Sequence, residues 1–275
     1  MSNFVIKSIG NILNATSLVA PKYAAKKALQ LFATPRKGRY IKNKSVVTDT
    51  ALFKTLTHKG LDIATYHWAG KGKTILLVHG WESNASRWGY VLQDLKAQNY
   101  NIVALDAPAH GRSGGTQFNA VLYSEFINRV SKEFLPDVLI GHSVGGMASI
   151  FCMENHQLTS VKQLISLGAP ADLKGVFARY KSMMRYNAKV SNGLDDIVLK
   201  HFGKPVSYFS AANFTKTINA KGLIIHDKKD RIIPYKDAQL FNDCYKNAAL
   251  ITTTGFGHSL IDASLTPKII AFING

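Results

Sequence analysis

Residues 139–147 read LIGHSVGGM, and this stretch decides the fold. An apolar run ends at Gly141, and Ser143 follows in the spacing G-x-S-x-G, which Gly145 completes. After a strand and before a helix, this spacing predicts a sharp turn whose strained backbone presents the serine hydroxyl. Glycines suit such a turn because its two arms approach closely and leave no room for a Cβ atom. The alternative is an ordinary tight turn that contains a serine.

Strand-like and helix-like segments alternate on both sides of this turn. A predicted antiparallel hairpin comes first, over residues 51–58 and 61–69. Further strands are predicted at 74–79, 101–106, 137–142, 161–170, 222–227 and 248–255, and helices at 86–98, 122–134, 144–155, 235–245 and over most of 258–274. Such alternation predicts a parallel sheet with right-handed crossovers and helices on both faces, so the fold class is α/β. In these sheets ligands bind beyond the carboxyl ends of the strands.

A serine hydroxyl is a weak nucleophile unless a base removes its proton and an acid orients that base. Asp230 and His258 each lie in a loop after a predicted strand. Their order along the chain, Ser…Asp…His, is the one expected for a strand-turn-helix nucleophile. Asp227 is an alternative acid, but it closes the strand itself, so we favour Asp230. The alternative roles are a turn cap for Asp230 and a helix N-cap region for His258.

An attacked carbonyl oxygen becomes an anion that needs two N–H donors. The backbone N–H of Val144 is one candidate, because it directly follows Ser143 at a predicted helix N-terminus. The backbone N–H of Trp81 is the second, in the loop after the strand 74–79, where Gly80 permits a close approach. The Trp81 side chain is either simple packing or a wall of the acyl pocket.

Five motifs occur in a characteristic order: HGW at 79–81, LDAPAHGRSGG at 105–115, GHSVGG at 141–146, HDKKDRIIP at 226–234 and GFGHSL at 255–260. Together they resemble the α/β-hydrolase fold superfamily, over about residues 51–275. The resemblance implies an eight-stranded, mostly parallel sheet with an inserted helical cap. It also implies these site residues: catalytic Ser143, Asp230 and His258, with oxyanion-hole N–H groups at Trp81 and Val144.

One of these motifs departs from the family pattern. The family's loop reads D-x-P-G-H-G-x-S, and here Ala109 replaces the usual glycine. That loop is structural in the family, so Asp106 and His110 are not expected to be catalytic. No glycine-rich phosphate loop or dinucleotide motif is present, so no cofactor is expected. The nine histidines lack H-x-x-x-H and H-x-H spacing, so no metal is expected either.

Residues 171–220 interrupt the alternation with a helical, aromatic-rich segment between two strands. An insertion of this size at the active edge of a sheet predicts a lid or cap. We therefore expect a basic N-terminal helical segment over residues 1–45 and an α/β-hydrolase domain over 46–275, with the cap at about 171–220.

The chain is strongly basic, with 34 lysines and arginines against 17 acidic residues and a net charge of +17. Its first 48 residues carry nine basic side chains and no acidic one. Residues 21–32 can form a surface helix that is simply solvated. The alternative is a peripheral contact with an anionic membrane or an acidic partner. Nucleic acid is not expected, because arginine-rich, zinc-finger and helix-turn-helix patterns are absent from the sequence.

A chain of 275 residues with 46% hydrophobic residues can bury a large core, which excludes a mainly disordered protein. Cys152 and Cys244 form neither a CxxC pair nor a disulfide framework, so a reducing, cytoplasmic location is expected. Asn11, Asn14 and Ser17 interrupt the apolar N-terminus, so a cleaved signal peptide is not expected, and an uncleaved anchor is the alternative.

The site predicts a serine hydrolase that cleaves a small-molecule carboxylic ester through an acyl-enzyme on Ser143. The cap carries eight basic residues against three aspartates, and this net charge of +5 favours anionic or lipid-like substrates. The alternatives are a membrane-associated lipase or lysophospholipase, a thioesterase, or a catalytically weak binding protein on the same fold.

Overall fold

A computed structural model describes residues 3–42 and 46–275 of the protein. Within them, eight strands form one sheet: β1 (Leu52–His58), β2 (Leu61–Trp68), β3 (Thr74–Val78), β4 (Asn101–Leu105), β5 (Val138–His142), β6 (Gln163–Leu167), β7 (Lys221–Asp227) and β8 (Ala248–Thr253). Their spatial order is β1-β2-β4-β3-β5-β6-β7-β8. Strand β2 runs antiparallel to β1 and β4, and all other neighbours are parallel. The predicted fold class is confirmed.

Eleven α-helices lie within the same described residues: α1 (Asn3–Val19), α2 (Pro21–Ala33), α3 (Val46–Asp49), α4 (Gly89–Ala97), α5 (Ala120–Phe134), α6 (Val144–His156), α7 (Leu173–Met184), α8 (Ala188–Phe202), α9 (Ala211–Phe214), α10 (Tyr235–Cys244) and α11 (Thr266–Asn274). Most of the final segment, residues 258–274, is helical as predicted, and its helical part begins at Ala263. Asp262 accepts a hydrogen bond from the Ser264 amide and begins a 3-10 turn, so residues 258–262 form a loop. His258 therefore lies in the loop after β8, as predicted.

The chain divides into two compact units, and the larger one contains Pro35–Ala171 and Ala211–Gly275. It holds the whole sheet and helices α3–α6 and α9–α11. Successive side chains of β3 point to opposite faces, yet Ile75, Leu76 and Leu77 are all fully buried. Strands covered on both faces read as continuous apolar runs, which is why the sequence pattern located them.

The smaller unit combines Met1–Thr34 with Asp172–Ser210. In it, α1 and α2 pack against α7 and α8. The backbones touch, because a Cβ atom on Gly10 would lie 1.8 Å from the carbonyl oxygen of Met184. One on Gly193 would lie 2.6 Å from the Cβ of Ala25. The N-terminal helices and the predicted cap helices thus share one compact unit.

Polar side chains also join α1 to the turn between α7 and α8. The Asn14 amide donates to the Arg185 carbonyl at 2.8 Å, and its oxygen accepts from the Asn187 amide N–H at 2.8 Å. The Asn187 side chain donates to the Ser17 hydroxyl at 2.9 Å. These bonds fix the rotation of α1 about its axis, since they specify which face points inward.

The domain boundary was predicted between residues 45 and 46. It adjoins residues 43–45, including Lys44, which lie outside the described part of the chain. Both this boundary and the cap limits remain predictions. Among residues 3–42 and 46–275, none of the helices combines the length and the apolar character that crossing a bilayer requires.

Candidate active site

Ser143 lies between the end of β5 and the start of α6, on a strained backbone. Its φ and ψ are 53° and −129°, a conformation that a residue with a side chain rarely adopts. The Ser143 amide donates to the Leu167 carbonyl on neighbouring β6 at 2.8 Å. On the other side, the Gly146 amide donates to the Ser143 carbonyl at 2.9 Å. The sheet and the helix therefore hold this turn from both sides.

The glycines beside Ser143 are required by close backbone contacts. A Cβ atom on Gly141 would lie 2.5 Å from the Cα of Gly146. A Cβ atom on Gly145 would lie 2.4 Å from the carbonyl oxygens of both Val78 and His79, at the end of β3. Real Cβ atoms essentially never approach that closely, so the strand, the turn and the helix can meet only with glycine here.

Gly145→Ala is expected to lower the free energy of unfolding by about 3 kcal/mol or more, because its methyl group would overlap two backbone oxygens. Gly60→Ala is the matched control. Gly60 has φ 77° but open space around it, so only a conformational cost of about 1 kcal/mol is expected. Urea unfolding of both variants measures the difference. Equal stabilities of the two variants would contradict the steric argument.

Three of the predicted site residues form a continuous hydrogen-bonded chain. The Ser143 Oγ lies 2.9 Å from His258 Nε2. His258 Nδ1 lies 2.7 Å from Asp230 Oδ2. Because a carboxylate only accepts, Nδ1 carries the proton in the neutral imidazole and Nε2 is free to accept from the serine hydroxyl. This is the geometry that a general base needs to deprotonate a hydroxyl.

The Asp230 carboxylate is held in its charged form. Its side chain is 1% exposed, and this burial raises its pKa. The hydrogen bond with His258 and those from the amides of Ile232 and Ile233 to Oδ1, at 2.8 and 2.9 Å, act in the opposite direction and prevail. The pKa of Asp230 is therefore below its ordinary value of 3.8, and at neutral pH the carboxylate faces His258 as an anion.

Asp227, the alternative acid, has different partners. Its Oδ2 accepts from the Thr253 hydroxyl and the Phe256 amide, both at 2.8 Å, and its Oδ1 accepts from the Lys229 amide at 2.8 Å. Burial raises the pKa of Asp227, but these hydrogen bonds have the opposite and larger effect, so its pKa falls to about 2. Asp227 thus braces the loop after β8, and it is Asp230 that contacts His258.

The loop after β3 passes directly beside the nucleophilic turn. A Cβ atom on Gly80 would lie 2.9 Å from the Cβ of Ser143, so only glycine permits this approach. Trp81 follows Gly80 on this loop, and Val144 is the first residue of α6. Amides in the first turn of a helix have no acceptor within the helix. Both predicted oxyanion donors are therefore on segments adjoining Ser143.

Two buried histidines hold this loop as neutral groups. His79 Nδ1 donates to the Gly80 carbonyl at 2.7 Å, and its Nε2 accepts from the Ala107 amide at 2.9 Å. His110 accepts from the Glu82 amide at 3.0 Å through Nε2. Burial lowers the pKa of both histidines to about 4, and repulsion between the two rings adds to this for His110. His110 thus supports the loop and does not reach Ser143.

The protein is expected to lose stability as the pH falls from about 6.5 to about 4. In that range the unfolded chain binds protons on His79 and His110, whereas the folded chain does not, so protons favour unfolding. The contribution is on the order of 3 kcal/mol for each histidine, and is complete below pH 4.

Urea unfolding between pH 4 and pH 8 measures this effect. His110→Gln removes one titrating group and keeps an acceptor for the Glu82 amide, so its stability should depend less steeply on pH than that of the wild type. His201→Gln, on the exposed side of α8, is the control and should leave the slope unchanged. An unchanged slope for His110→Gln would contradict the assignment.

Sequence reasoning missed two side chains that hold the loop of His258. His142 Nε2 donates to the His258 carbonyl at 2.8 Å, and Arg87 donates to the next carbonyl, that of Ser259, at 2.7 Å. Burial lowers the pKa of His142 well below 6.5, so it stays neutral. His142 is the variable position of G-x-S-x-G, and nothing in the sequence linked it to a residue 116 positions away.

No group of three or more histidine, cysteine, aspartate or glutamate side chains in residues 3–42 and 46–275 is arranged to hold a metal ion. Cys152 and Cys244 are free thiols, and Cys152 is buried within α6. The expectation that neither a metal nor a cofactor takes part remains a prediction.

Several known proteins are similar to this chain. A family model described as "Alpha/beta hydrolase family" matches residues 75–240. The non-heme chloroperoxidase of Streptomyces lividans is 23% identical over 270 residues, which cover 79% of this chain and 98% of that protein. The monoacylglycerol lipase of Mycolicibacterium smegmatis is 26% identical over 213 residues, which cover 62% and 74%. The esterase EaEST from Exiguobacterium antarcticum has a TM-score of 0.64 at 17% identity, covering 82% of this chain and all of that structure.

Proposed function

Because the chain belongs to the alpha/beta hydrolase family, we propose that it is a serine hydrolase that cleaves a small-molecule carboxylic ester. The observation that carries the proposal is the hydrogen-bonded chain from Ser143 through His258 to Asp230. A nucleophile, a base and an orienting carboxylate in this arrangement are what acyl transfer needs. In this proposal Ser143, His258 and Asp230 are the catalytic residues.

Acylation begins with the Ser143 hydroxyl. His258 Nε2 takes its proton while Oγ attacks the ester carbonyl carbon, and the carbonyl oxygen becomes an anion. The amides of Trp81 and Val144 stabilise that anion, and each donor is worth about 3 kcal/mol of the barrier. The intermediate collapses as the bond to the alcohol oxygen breaks, and His258 returns the proton to the departing alcohol. Asp230 stabilises the imidazolium that forms in between.

Deacylation repeats the sequence with water. His258 takes a proton from water, and the hydroxide attacks the acyl carbon bound to Ser143. The second intermediate collapses to release the carboxylic acid, and Ser143 regains its proton from His258. The net reaction converts one ester and one water into one carboxylic acid and one alcohol, and it returns Ser143 and His258 to their starting protonation states.

We propose an ester rather than another acyl compound as the substrate, because the proteins similar to this chain include a monoacylglycerol lipase and a structure described as an esterase. A thioester has the same reacting carbonyl and is the main alternative substrate. The chloroperoxidase among the relatives makes activity with peroxide worth measuring in parallel.

A fluorophosphonate probe tests the serine chemistry, because it reacts only with an activated serine. We expect one probe per chain, mapped by mass spectrometry to the peptide that contains Ser143. A parallel series of p-nitrophenyl esters and the matching thioesters, from acetyl to dodecanoyl, measures the substrate class. A folded protein that takes up no probe and hydrolyses none of these compounds would overturn the proposal in favour of a binding protein on this fold.

A further inference from the structure

Helix α1 presents an apolar face to solvent. Five large apolar side chains are exposed on it, and we call them the outer face of α1: Phe4, Val5, Ile12, Leu18 and Val19. Four of them are more than half exposed, at 79% for Phe4, 63% for Ile12, 66% for Leu18 and 88% for Val19. At 100° per residue these five positions fall within an arc of about 140°, so the side chains lie on one side of the helix. Apolar patches of this kind mark interaction surfaces.

The opposite side of α1 packs against α7 and the turn that follows it, so α1 cannot rotate to bury its outer face without losing those contacts. Gly10, Leu13 and Ser17 are buried on that side. Gly10 fits against the Met184 backbone without room for a side chain, and Asn14 bonds to the turn between α7 and α8. These five side chains therefore stay exposed when α1 is packed.

The smaller unit, which carries this face, is positively charged. Helices α1 and α2 carry Lys7, Lys22, Lys26 and Lys27, and neither helix contains an acidic residue. The whole smaller unit has eleven basic side chains against three aspartates, a net charge of +8. A second copy of the chain docked on the same face would bring two such units together and repel. An anionic surface would instead be attracted.

We propose that the outer face of α1 docks onto a bilayer that contains anionic phospholipid. The helix lies in the plane of the interface, where its apolar side chains enter the boundary between headgroups and acyl chains. The lysines contact the lipid phosphates. This binding does not depend on Ser143, so it goes beyond the proposed hydrolase activity and can succeed or fail separately from it.

Flotation of the full-length protein with vesicles tests the proposal. We expect binding to vesicles of 70% phosphatidylcholine and 30% phosphatidylglycerol, and much weaker binding to pure phosphatidylcholine. Salt at 0.5 M should weaken binding, because it screens the lysine contacts. Ser143→Ala should float as the wild type does, which separates membrane docking from catalysis.

Matched variants locate the binding face. Ile12→Ser/Leu18→Ser should lower the vesicle partition coefficient by on the order of tenfold, because two apolar side chains no longer enter the interface. The control, Val46→Ser/Leu52→Ser, changes two side chains of similar exposure, 63% and 69%, in the larger unit, and should bind normally. Both variants should hydrolyse a water-soluble ester at the wild-type rate.

Two double variants, each replacing two lysines, give a second, independent comparison. Lys22→Gln/Lys26→Gln should weaken binding to the anionic vesicles, whereas Lys71→Gln/Lys246→Gln, which changes exposed lysines of the larger unit, should not. Wild-type protein that fails to float with anionic vesicles would overturn the proposal. So would equal binding by the Ile12/Leu18 variant, or a dimer that this variant abolishes in light scattering while no vesicles are bound.

Discussion

Ser143→Ala is expected to lower kcat on a p-nitrophenyl ester by a factor of about 10⁴ to 10⁶. Alanine has no oxygen to attack the carbonyl, and His258 then has no hydroxyl to deprotonate. The residual rate would come from the oxyanion donors and from substrate binding, which the substitution leaves in place. Alanine has no larger side chain than serine, so the strained turn at this position should still form and the protein should stay folded.

Ser149→Ala is the matched control for this variant. Ser149 is buried in α6, the helix that begins directly after Ser143, and its hydroxyl donates to the Gly145 carbonyl at 2.8 Å. We expect its kcat to stay within a few-fold of the wild type. Steady-state kinetics with active-site titration measures both variants. Ser143→Ala protein that keeps more than about a tenth of the wild-type kcat would rule out the acyl-enzyme.

Asp230→Asn is expected to lower kcat by about 10⁴ while leaving the fold intact. An amide can donate to His258 Nδ1 and so favours the tautomer whose proton lies on Nε2, where it blocks acceptance from Ser143. The amide also carries no charge to stabilise the imidazolium. KM should change little, because Asp230 lies behind His258 and does not contact substrate in the proposed mechanism.

Asp227→Asn separates this catalytic effect from a structural one. Asp227 accepts from Thr253, Phe256 and Lys229, and an amide group would turn a donor toward one of these donors. We expect a loss of about 2 kcal/mol of stability and a much smaller fall in kcat. Thermal unfolding and kinetics on the same samples give both quantities. A larger loss of kcat for Asp227→Asn than for Asp230→Asn would make Asp227 the acid of the site.

The inner strands β3 to β6 could be predicted because they are short, largely apolar runs, and burial on both faces favours that pattern. Ser143, Asp230 and His258 could be located because each lies just after a strand and the carboxyl ends of parallel strands meet at one edge. The structure brings these three side chains into contact. Their catalytic roles remain proposals.

The supports of the site could not be predicted in the same way. His142 and Arg87 hold the loop of His258 through backbone carbonyls, and any residue can supply a carbonyl, so no sequence pattern records the pairing. The packing of α1 and α2 against α7 and α8 was also hidden. It depends on Gly10 and Gly193, whose missing side chains allow close contacts with Met184 and Ala25, which are distant in the sequence.

The discontinuous smaller unit has a consequence for synthesis of the protein. Helices α1 and α2 emerge first, but Met184 and Asn187, their contacts in α7 and the turn after it, follow more than 150 residues later. At about 5–20 residues per second the ribosome needs roughly 10–35 s to reach the end of that unit. During that delay both apolar sides of α1 are uncovered on the nascent chain. The N-terminal helices therefore cannot complete their unit until α7 and α8 have been synthesised.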